Sequence, residues 1–567
     1  MWKILRANMS TLSVKEEPYP DDYMGLGGRS LIARVMTDEV DPACGPLGPG
    51  NKLLLSTGAF AGSGLSCANR LSVGCKSPLT GGIKEANAGG TIGTYMAGHG
   101  VRLIIIEGRP RQEGLWLLHV DAAGKAALVE AGAYREMDNY PLVEALMARY
   151  GNDIAVASIG RAGERLYRNS TVQVTDYGSN YPCRAAARGG VGAVMGSKKV
   201  KAVIFEKPAV RCSPAFADRE RFFALRKDLN KILADGAAGS PLRRVGTADG
   251  VVHKQEVGCL PVRNYSGKKL EGIEKIASAR FMEIINSRGR NGRACQPGCV
   301  VRCSNLIQDE NGSHLTGGLE YETVALCGAN CEITDYNVIM RMDRFCDDLG
   351  LDTIETGATI ALCMEAGKIP WGDGEAALAL LREMAEGTEF GRIMGNGAEA
   401  TGNYLGVKRI PACKHQAMSG YDPRGAVVTG VAYATSAMGA DHTVAPFEGT
   451  CAEMPPEEIC SVSKKVQSMF AMTDSLFCGF AWIFWNKHLE KLAELYAALY
   501  GGEALPDRLT ALGELTLKLE REFNKAAGWK DTDDVLPSFF YTERSEITGI
   551  TFHVPPENLA RTFKNGS

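Results

Sequence analysis

Glycine is densest in the first 207 residues of this 567-residue chain, which hold 29 of its 66 glycines. Short apolar runs lie between these glycines and their neighbouring prolines, a pattern typical of strands joined by tight turns. Such a stretch has many tight backbone positions, so the sequence predicts a β-rich domain over residues 1–207. The predicted strands include residues 52–55, 103–107, 115–120, 154–159 and 202–205.

The pattern becomes helical after Ser213-Pro214, where a serine N-cap and a proline at the first helical position predict that a helical region begins. Further amphipathic helices are predicted at 376–385, 486–499 and 507–523. The most apolar window, 469–485, contains Asp474 and is too short to span a bilayer, so it is predicted to be a buried helix.

Glycine and proline breaks near 409–425 predict a second boundary. The expected fold class is α+β: a β-rich domain at 1–207, then two mainly helical domains at 208–415 and 416–567.

Charge and cysteine content restrict the function classes. A net charge of −3 provides no basic field for nucleic acid. No secretory signal or membrane span is evident at the sequence level. A chain with 17 cysteines and no export signal is typical of a reducing compartment, so we expect a cytoplasmic protein with few or no disulfides.

Three cysteines, Cys295, Cys299 and Cys303, fall within nine residues. This spacing would allow one loop and the first turn of a helix to direct three sulfurs at a common centre, as a cubane iron–sulfur cluster requires. A fourth ligand would come from elsewhere in the chain. Two alternatives stay open at this point: three buried structural cysteines, and a structural zinc site.

Three glycine-rich stretches, at 25–29, 85–93 and 184–198, would let the backbone approach a large anionic ligand. Glycine removes the side chain that blocks close approach, and the arginines and lysines in these stretches supply charge for phosphate. Taken alone, Arg188-Gly-Gly-Val-Gly192 fits a simple tight turn equally well.

Taken together and in order, these motifs resemble the tungsten-dependent aldehyde:ferredoxin oxidoreductase family over nearly the whole chain. The matching stretches are GLGGRSLIARVMTDEVDP, LLLSTGAFAGS, NRLSVGCKSPLTGGIKEANAGGTIG, IIIEGR, RAAARGGVGAVMGSKKVKAV, CQPGCVVRC, LEYET, DDLGLDTIETG, YDPRG, ATSAMGADH and REFNKAAGW.

The resemblance implies a tungsten bis-pyranopterin cofactor, with molybdenum able to bind the same dithiolene sulfurs, and a β-rich domain that forms the base of the pterin site. Backbone carbonyls of Asn87 and Ala185 would hold a Mg²⁺ that bridges the two cofactor phosphates. Arg70 would lie between pterin and a [4Fe-4S] cluster. Further cofactor contacts are expected at Gly89, Arg184, Arg188 and Gly189.

Two pterin motifs follow from the same resemblance. In the first, Asp347, Gly350 and Asp352 would hydrogen-bond the pterin ring, although a capped, solvated helix end is the alternative. The second motif would supply Asp474 as a pterin contact and Cys478 as the fourth cluster ligand. It is one residue shorter than the family pattern and lacks its glycine, and the cysteine triplet also has one extra residue between its first two members.

The resemblance assigns catalytic roles to Glu322 and His442, with Glu320 sharing the role or orienting the loop. The expected activity is oxidation of an aldehyde to a carboxylic acid, with electrons passing to ferredoxin or a small iron–sulfur subunit. Alternatives are a subunit that reduces an aromatic ring or carboxylate, and a non-catalytic iron–sulfur subunit. A homodimer and a larger redox complex are both open. The thirteen remaining cysteines are predicted to be structural.

Overall fold

A computed structural model describes residues 2–564. Residues 2–207 form two six-stranded sheets and five helices. The first sheet has the strand order β2-β1-β6-β3-β4-β5. Its strands are β1 (Lys3–Asn8), β2 (Ser13–Pro18), β3 (Leu53–Thr57), β4 (Leu71–Lys76), β5 (Ile83–Ala88) and β6 (Val101–Glu107). The helices are α1 (Gly28–Glu39), α2 (Ile92–Gly98), α3 (Asn139–Tyr150), α4 (Arg161–Glu164) and α5 (Val191–Ser197).

The second sheet has the order β11-β10-β9-β12-β7-β8. Its strands are β7 (Trp116–Val120), β8 (Ala126–Glu130), β9 (Ile154–Ser158), β10 (Val172–Val174), β11 (Arg184–Ala186) and β12 (Val200–Glu206). The five predicted strands are confirmed, with bounds that differ by one or two residues.

Alternation of side chains across the strands explains why continuous apolar runs form this domain. In β6, Ile104 and Ile106 enter a core shared by both sheets and by α2 and α5. Leu103 and Ile105 point to the opposite face, where they pack with α1. Both faces are therefore buried, which is the environment in which a strand reads as an uninterrupted apolar run.

Seventeen helices lie within residues 208–564, and they confirm the predicted α+β class. They are α6 (Arg219–Ala238), α7 (Pro241–Arg244), α8 (Val251–Glu256), α9 (Ser278–Arg288), α10 (Tyr321–Thr323), α11 (Tyr336–Leu349), α12 (Thr353–Glu365), α13 (Gly374–Glu386), α14 (Glu389–Gly395), α15 (Ala398–Leu405), α16 (Val427–Thr435), α17 (Pro456–Leu476), α18 (Gly479–Trp485), α19 (Leu489–Tyr500), α20 (Pro506–Ala526), α21 (Phe539–Thr542) and α22 (Pro556–Leu559). Within residues 2–564, no helix combines the length and apolarity needed to cross a membrane.

Two helix predictions were wrong in detail. The first helix begins at Arg219, because the Asp218 side chain accepts a hydrogen bond from the Arg221 amide and caps it, whereas Ser213 lies outside any helix. The 469–485 window is divided between α17 and α18. Phe477 is fully extended, with φ −160° and ψ −175°, and Cys478 precedes the first residue of α18.

A three-stranded sheet of β13 (Gly289–Arg293), β14 (Ser304–Gln308) and β15 (His314–Gly317) lies among the helices, and β16 (Ala412–Cys413) pairs with β17 (Gln416–Ala417). The three clustered cysteines lie in the loop that joins β13 to β14. The predicted helical turn at this triplet is therefore wrong, because antiparallel pairing of the flanking strands sets the path of the loop.

Candidate functional site

A cavity of about 580 Å³ lies between the β-rich domain and the helices. It brings together residues that are far apart in the sequence. Neither Gly189 nor Gly350 lines it. The predicted site residues that do line it are Arg70, Asn87, Gly89, Arg184, Ala185, Arg188, Cys295, Cys299, Cys303, Glu320, Glu322, Asp347, Asp352, His442, Asp474 and Cys478.

One wall of the cavity carries the four predicted cluster cysteines. The β13–β14 loop supplies three of them, and the break between α17 and α18 supplies Cys478. Gly89 packs directly on this loop: a Cβ atom added there would lie 2.8 Å from the Cys295 sulfur. The Gly90 amide also donates a 2.8 Å hydrogen bond to the Cys295 carbonyl.

A fifth cysteine, Cys67, also lines this wall, although the sequence was interpreted as making it structural. Its sulfur lies 3.5 Å from that of Cys299. This contact lowers the pKa of Cys299 and raises that of Cys67. The signal available in the sequence was its position three residues before Arg70. Cys183, another of the cysteines interpreted as structural, also borders the cavity.

Arg70 joins the thiol wall to the β-rich domain. Its Nε donates to the Asn87 side chain at 2.6 Å, its Nη2 to the Asn87 carbonyl at 3.2 Å, and its Nη1 lies 3.8 Å from the Cys478 sulfur. Among the described residues, no carboxylate lies within ion-pair distance of this guanidinium. Its charge is therefore available to the cavity. Burial opposes the charged form, but the nearby Cys478 and Cys295 thiols raise the pKa of Arg70 above its usual value.

Two further arginines connect the domains. Arg184 pairs with Asp176 at 2.8 Å and also donates to the Ser304 hydroxyl. Arg188 donates to Asp352 at 3.2 Å and to the Ala417 and Ala440 carbonyls. Both side chains are buried, so the cationic groups that line the cavity are held in fixed positions.

The first predicted pterin motif spans the end of α11 and the start of α12. Asp352 caps α12 by accepting from the Ile354 amide at 2.9 Å. Gly350 ends α11 in a left-handed conformation, φ +81°, which favours glycine. This role accounts for a glycine at the position although it does not line the cavity. Asp347 differs from both, because it is buried and its Oδ2 has no hydrogen-bond partner among the described residues. Burial raises its pKa well above the usual value.

The shortened second motif still places Asp474 at the cavity. Its Oδ2 makes no hydrogen bond within the described chain and lies 3.7 Å from Arg29, which forms a bidentate pair with Glu520. Burial raises the pKa of Asp474 to about 8, and the nearby carboxylate of Glu85 adds to the effect.

The predicted acid–base residues lie together on the helical side. Glu322 accepts from the Gly420 amide at 2.6 Å through Oε2, while Oε1 has no partner among the described groups. Burial raises its pKa, and attraction to His442 opposes that rise. Glu320 accepts from the Thr247 hydroxyl, and burial raises its pKa as well.

A buried ion pair outside the predicted set supports this side of the cavity. The carboxylate of Asp441 pairs with Lys84, which keeps the pKa of Asp441 well below its usual range despite burial. His442 follows directly, with Nδ1 3.5 Å from Asp441. Lys84 precedes the glycine-rich stretch at 85–93, so its position was the only indication in the sequence.

The lining fits a large cofactor with anionic groups, bound beside a cluster of thiols. Four cationic side chains line the cavity: Arg70, Lys84, Arg184 and Arg188. The cavity also carries acidic oxygens without a hydrogen-bond partner among the described residues, and a cluster of thiols. No three His, Cys, Asp or Glu side chains of residues 2–564 are close enough to hold one metal ion together. A concave site of this kind between domains is typical of proteins that enclose a cofactor.

Comparison with known proteins agrees with that class. The model of the N-terminal domain of aldehyde ferredoxin oxidoreductase matches residues 4–207, and that of its domains 2 and 3 matches residues 224–561. The tungsten-containing aldehyde ferredoxin oxidoreductase of Pyrococcus furiosus is 30% identical over 95% of this chain and 91% of its own. The corresponding Thermococcus kodakarensis protein is also 30% identical, with the same coverage of both chains.

Two more distant matches carry names other than aldehyde ferredoxin oxidoreductase. An aliphatic sulfonate oxidoreductase WOR-like subunit of Pyrococcus furiosus is 24% identical over 95% of this chain and 89% of its own. The active-site complex BamBC of benzoyl coenzyme A reductase has a chain of the same fold, with a TM-score of 0.81 and 18% identity over 94% of this chain and 90% of that one. This chain belongs to the aldehyde ferredoxin oxidoreductase family, whose members are tungsten oxidoreductases.

Proposed function

We propose that this protein oxidises aldehydes to carboxylic acids and passes the electrons through a [4Fe-4S] cluster to ferredoxin or a small iron–sulfur partner in the cytoplasm. The observation that carries the proposal is the single cavity in which the Glu322 carboxyl, His442 and four thiols meet. The 30% identity to tungsten-containing aldehyde ferredoxin oxidoreductases supports the aldehyde as substrate.

The cofactor would be held from both domains. Arg184, Arg188 and the glycine-rich loop at Gly89 would contact the pterin phosphates, with Mg²⁺ at the carbonyls of Asn87 and Ala185. Asp347 and Asp474, whose Oδ2 atoms make no hydrogen bond with the described residues, would accept hydrogen bonds from the pterin rings. Cys295, Cys299, Cys303 and Cys478 would ligate the cluster.

When bound, the tungsten centre supplies the two-electron redox chemistry by which an aldehyde and water become a carboxylic acid, two electrons and two protons. Glu322 would accept one of these protons, because one carboxyl oxygen is held by the Gly420 amide and the other is free. His442 would donate a hydrogen bond to the aldehyde carbonyl. Glu320, held by Thr247, would orient the loop that carries Glu322.

Metal analysis of anaerobically purified protein tests the proposal, together with a viologen-linked screen of aliphatic, aromatic and phosphorylated aldehydes. We expect one tungsten or molybdenum and about four irons per chain, and oxidation of at least one aldehyde. Iron without tungsten or molybdenum would refute the pterin enzyme, and zinc in place of iron would refute the cluster. A fully loaded protein that oxidises no aldehyde would refute the substrate class.

Glu322→Gln and His442→Asn should each reduce turnover at least 100-fold, the lower range of general acid–base contributions, with unchanged tungsten content. The matched controls are Glu375→Gln and His415→Asn, since Glu375 and His415 are exposed residues that pair with Arg341 and Glu399. Wild-type turnover in either active-site variant would remove that residue from the mechanism.

A further inference from the structure

The segment Ser66–Arg70 holds the cysteine loop in place. The Ser66 hydroxyl donates to the Gly298 carbonyl at 3.0 Å and accepts from the Val300 amide at 3.1 Å. These two residues flank Cys299, so the position of this thiol relative to the segment is fixed from both sides. The Asn69 amide adds a third link by donating to the Gln296 side chain at 3.0 Å.

Within this segment, Cys67 contacts both cysteine-bearing parts of the chain. Its carbonyl accepts a 2.9 Å hydrogen bond from the Cys478 amide. Its sulfur lies 3.5 Å from the Cys299 sulfur, inside the distance for a hydrogen bond between two sulfur atoms. Its φ is +62°, a conformation that side-chain-bearing residues rarely adopt. Such a backbone persists only where the surrounding contacts determine it.

Two possible acceptors lie within hydrogen-bonding distance of the Cys67 thiol, the Cys299 sulfur and the Ser66 oxygen. The Ser66 oxygen is a second candidate acceptor, 3.5 Å from the Cys67 sulfur, and it already accepts from the Val300 amide. A Cys299 sulfur bound to iron carries negative charge, and charged acceptors form the stronger hydrogen bonds. The thiol of Cys67 therefore donates to Cys299 once that residue is a ligand.

We propose that Cys67 is a positioning residue for electron transfer: its thiol donates a hydrogen bond to the Cys299 sulfur and holds the reduction potential of the cluster higher than the four ligands alone would. The inference rests on the proposed function, because it requires the cluster. Hydrogen bonds to ligand sulfurs help to set such potentials. A donor raises the potential because its positive end stabilises the extra negative charge of the reduced cluster.

Redox titration of the whole protein, monitored by EPR, measures the midpoint potential of the cluster and tests this role in Cys67→Ala and Cys67→Ser. We expect both variants to keep the wild-type iron content. The midpoint potential should shift to a more negative value in Cys67→Ala, which lacks a donor, and by less in Cys67→Ser, whose hydroxyl can still donate. Cys75→Ala is the matched control, because Cys75 is a buried cysteine that does not line the cavity.

Three outcomes would overturn the inference. An unshifted midpoint in Cys67→Ala would show that the thiol does not act on the cluster. Loss of iron or a three-iron EPR signal in that variant, with a normal signal in Cys75→Ala, would make Cys67 a ligand instead. A wild-type protein without iron would refute the proposed function and this inference with it, whereas the first two outcomes leave the proposed function intact.

Discussion

Replacing Gly89 with alanine should displace Cys295 and weaken cluster binding. The added Cβ would lie 2.8 Å from the Cys295 sulfur and 3.1 Å from its Cβ, closer than non-bonded atoms normally approach. Backbone conformation is not the obstacle, because the φ of Gly89 lies outside the left-handed region. The Gly90 amide also holds the Cys295 carbonyl at 2.8 Å, so the loop cannot simply retreat.

Overpacking of this kind typically costs about 1 to 3 kcal/mol. If turning the Cys295 side chain away relieves the overlap, the same free energy is lost from cluster binding, roughly a 5- to 150-fold weaker affinity at about 1.4 kcal/mol per factor of ten. The assay is iron retention during anaerobic competition with a chelator, together with the melting temperature of the iron-free chain.

Gly132→Ala is the matched control, since a Cβ at Gly132 would contact no atom within 4 Å. Equal iron retention in the two variants would refute the assignment of Cys295 as a ligand fixed by Gly89.

Three other perturbations have defined outcomes. Because burial raises the pKa of Glu322, the rate of aldehyde oxidation should begin to fall at a higher pH than it would with an exposed glutamate as the base. A rate that stays constant down to the pKa range of an exposed glutamate would contradict its role as a base. Lys84→Met should destabilise the protein by about 3 to 5 kcal/mol in denaturant unfolding, because it leaves the buried Asp441 carboxylate without its ammonium partner. Lys231→Met, at an exposed pair, should have little effect, and equal effects of the two substitutions would refute the argument. Cys478→Ser should abolish the normal cluster EPR signal, and its retention would exclude Cys478 as a ligand.

The local sequence pattern was sufficient to predict the strands of the β-rich domain. The run at Val101–Glu107 is buried on both faces, and burial on both faces produces the apolar run that predicts a strand. Similarly, the single apolar stripe predicted at 507–523 lies within α20, which packs against α1 and α17.

Contacts between distant segments determine the features of the site that the local sequence pattern did not predict. Apolar residues continue without interruption across Phe477, so the local pattern gives no sign of the break. There the Cys478 amide donates to the Cys67 carbonyl instead of continuing the helix. The role of Gly350 as a helix terminator and the position of Cys67 beside Cys299 depend equally on neighbours distant in the chain. The predicted domain boundaries and the roles of the individual site residues stay predictions.

The link between Cys67 and Cys478 has a consequence for biosynthesis. Hydrogen bonds bring together three segments that the ribosome makes at very different times: Ser66–Arg70, the β13–β14 loop and the break before α18. This set of contacts is complete only when the last of these segments has been synthesised and docked. On the proposed function, a cluster held by these segments would therefore be inserted only after they have docked.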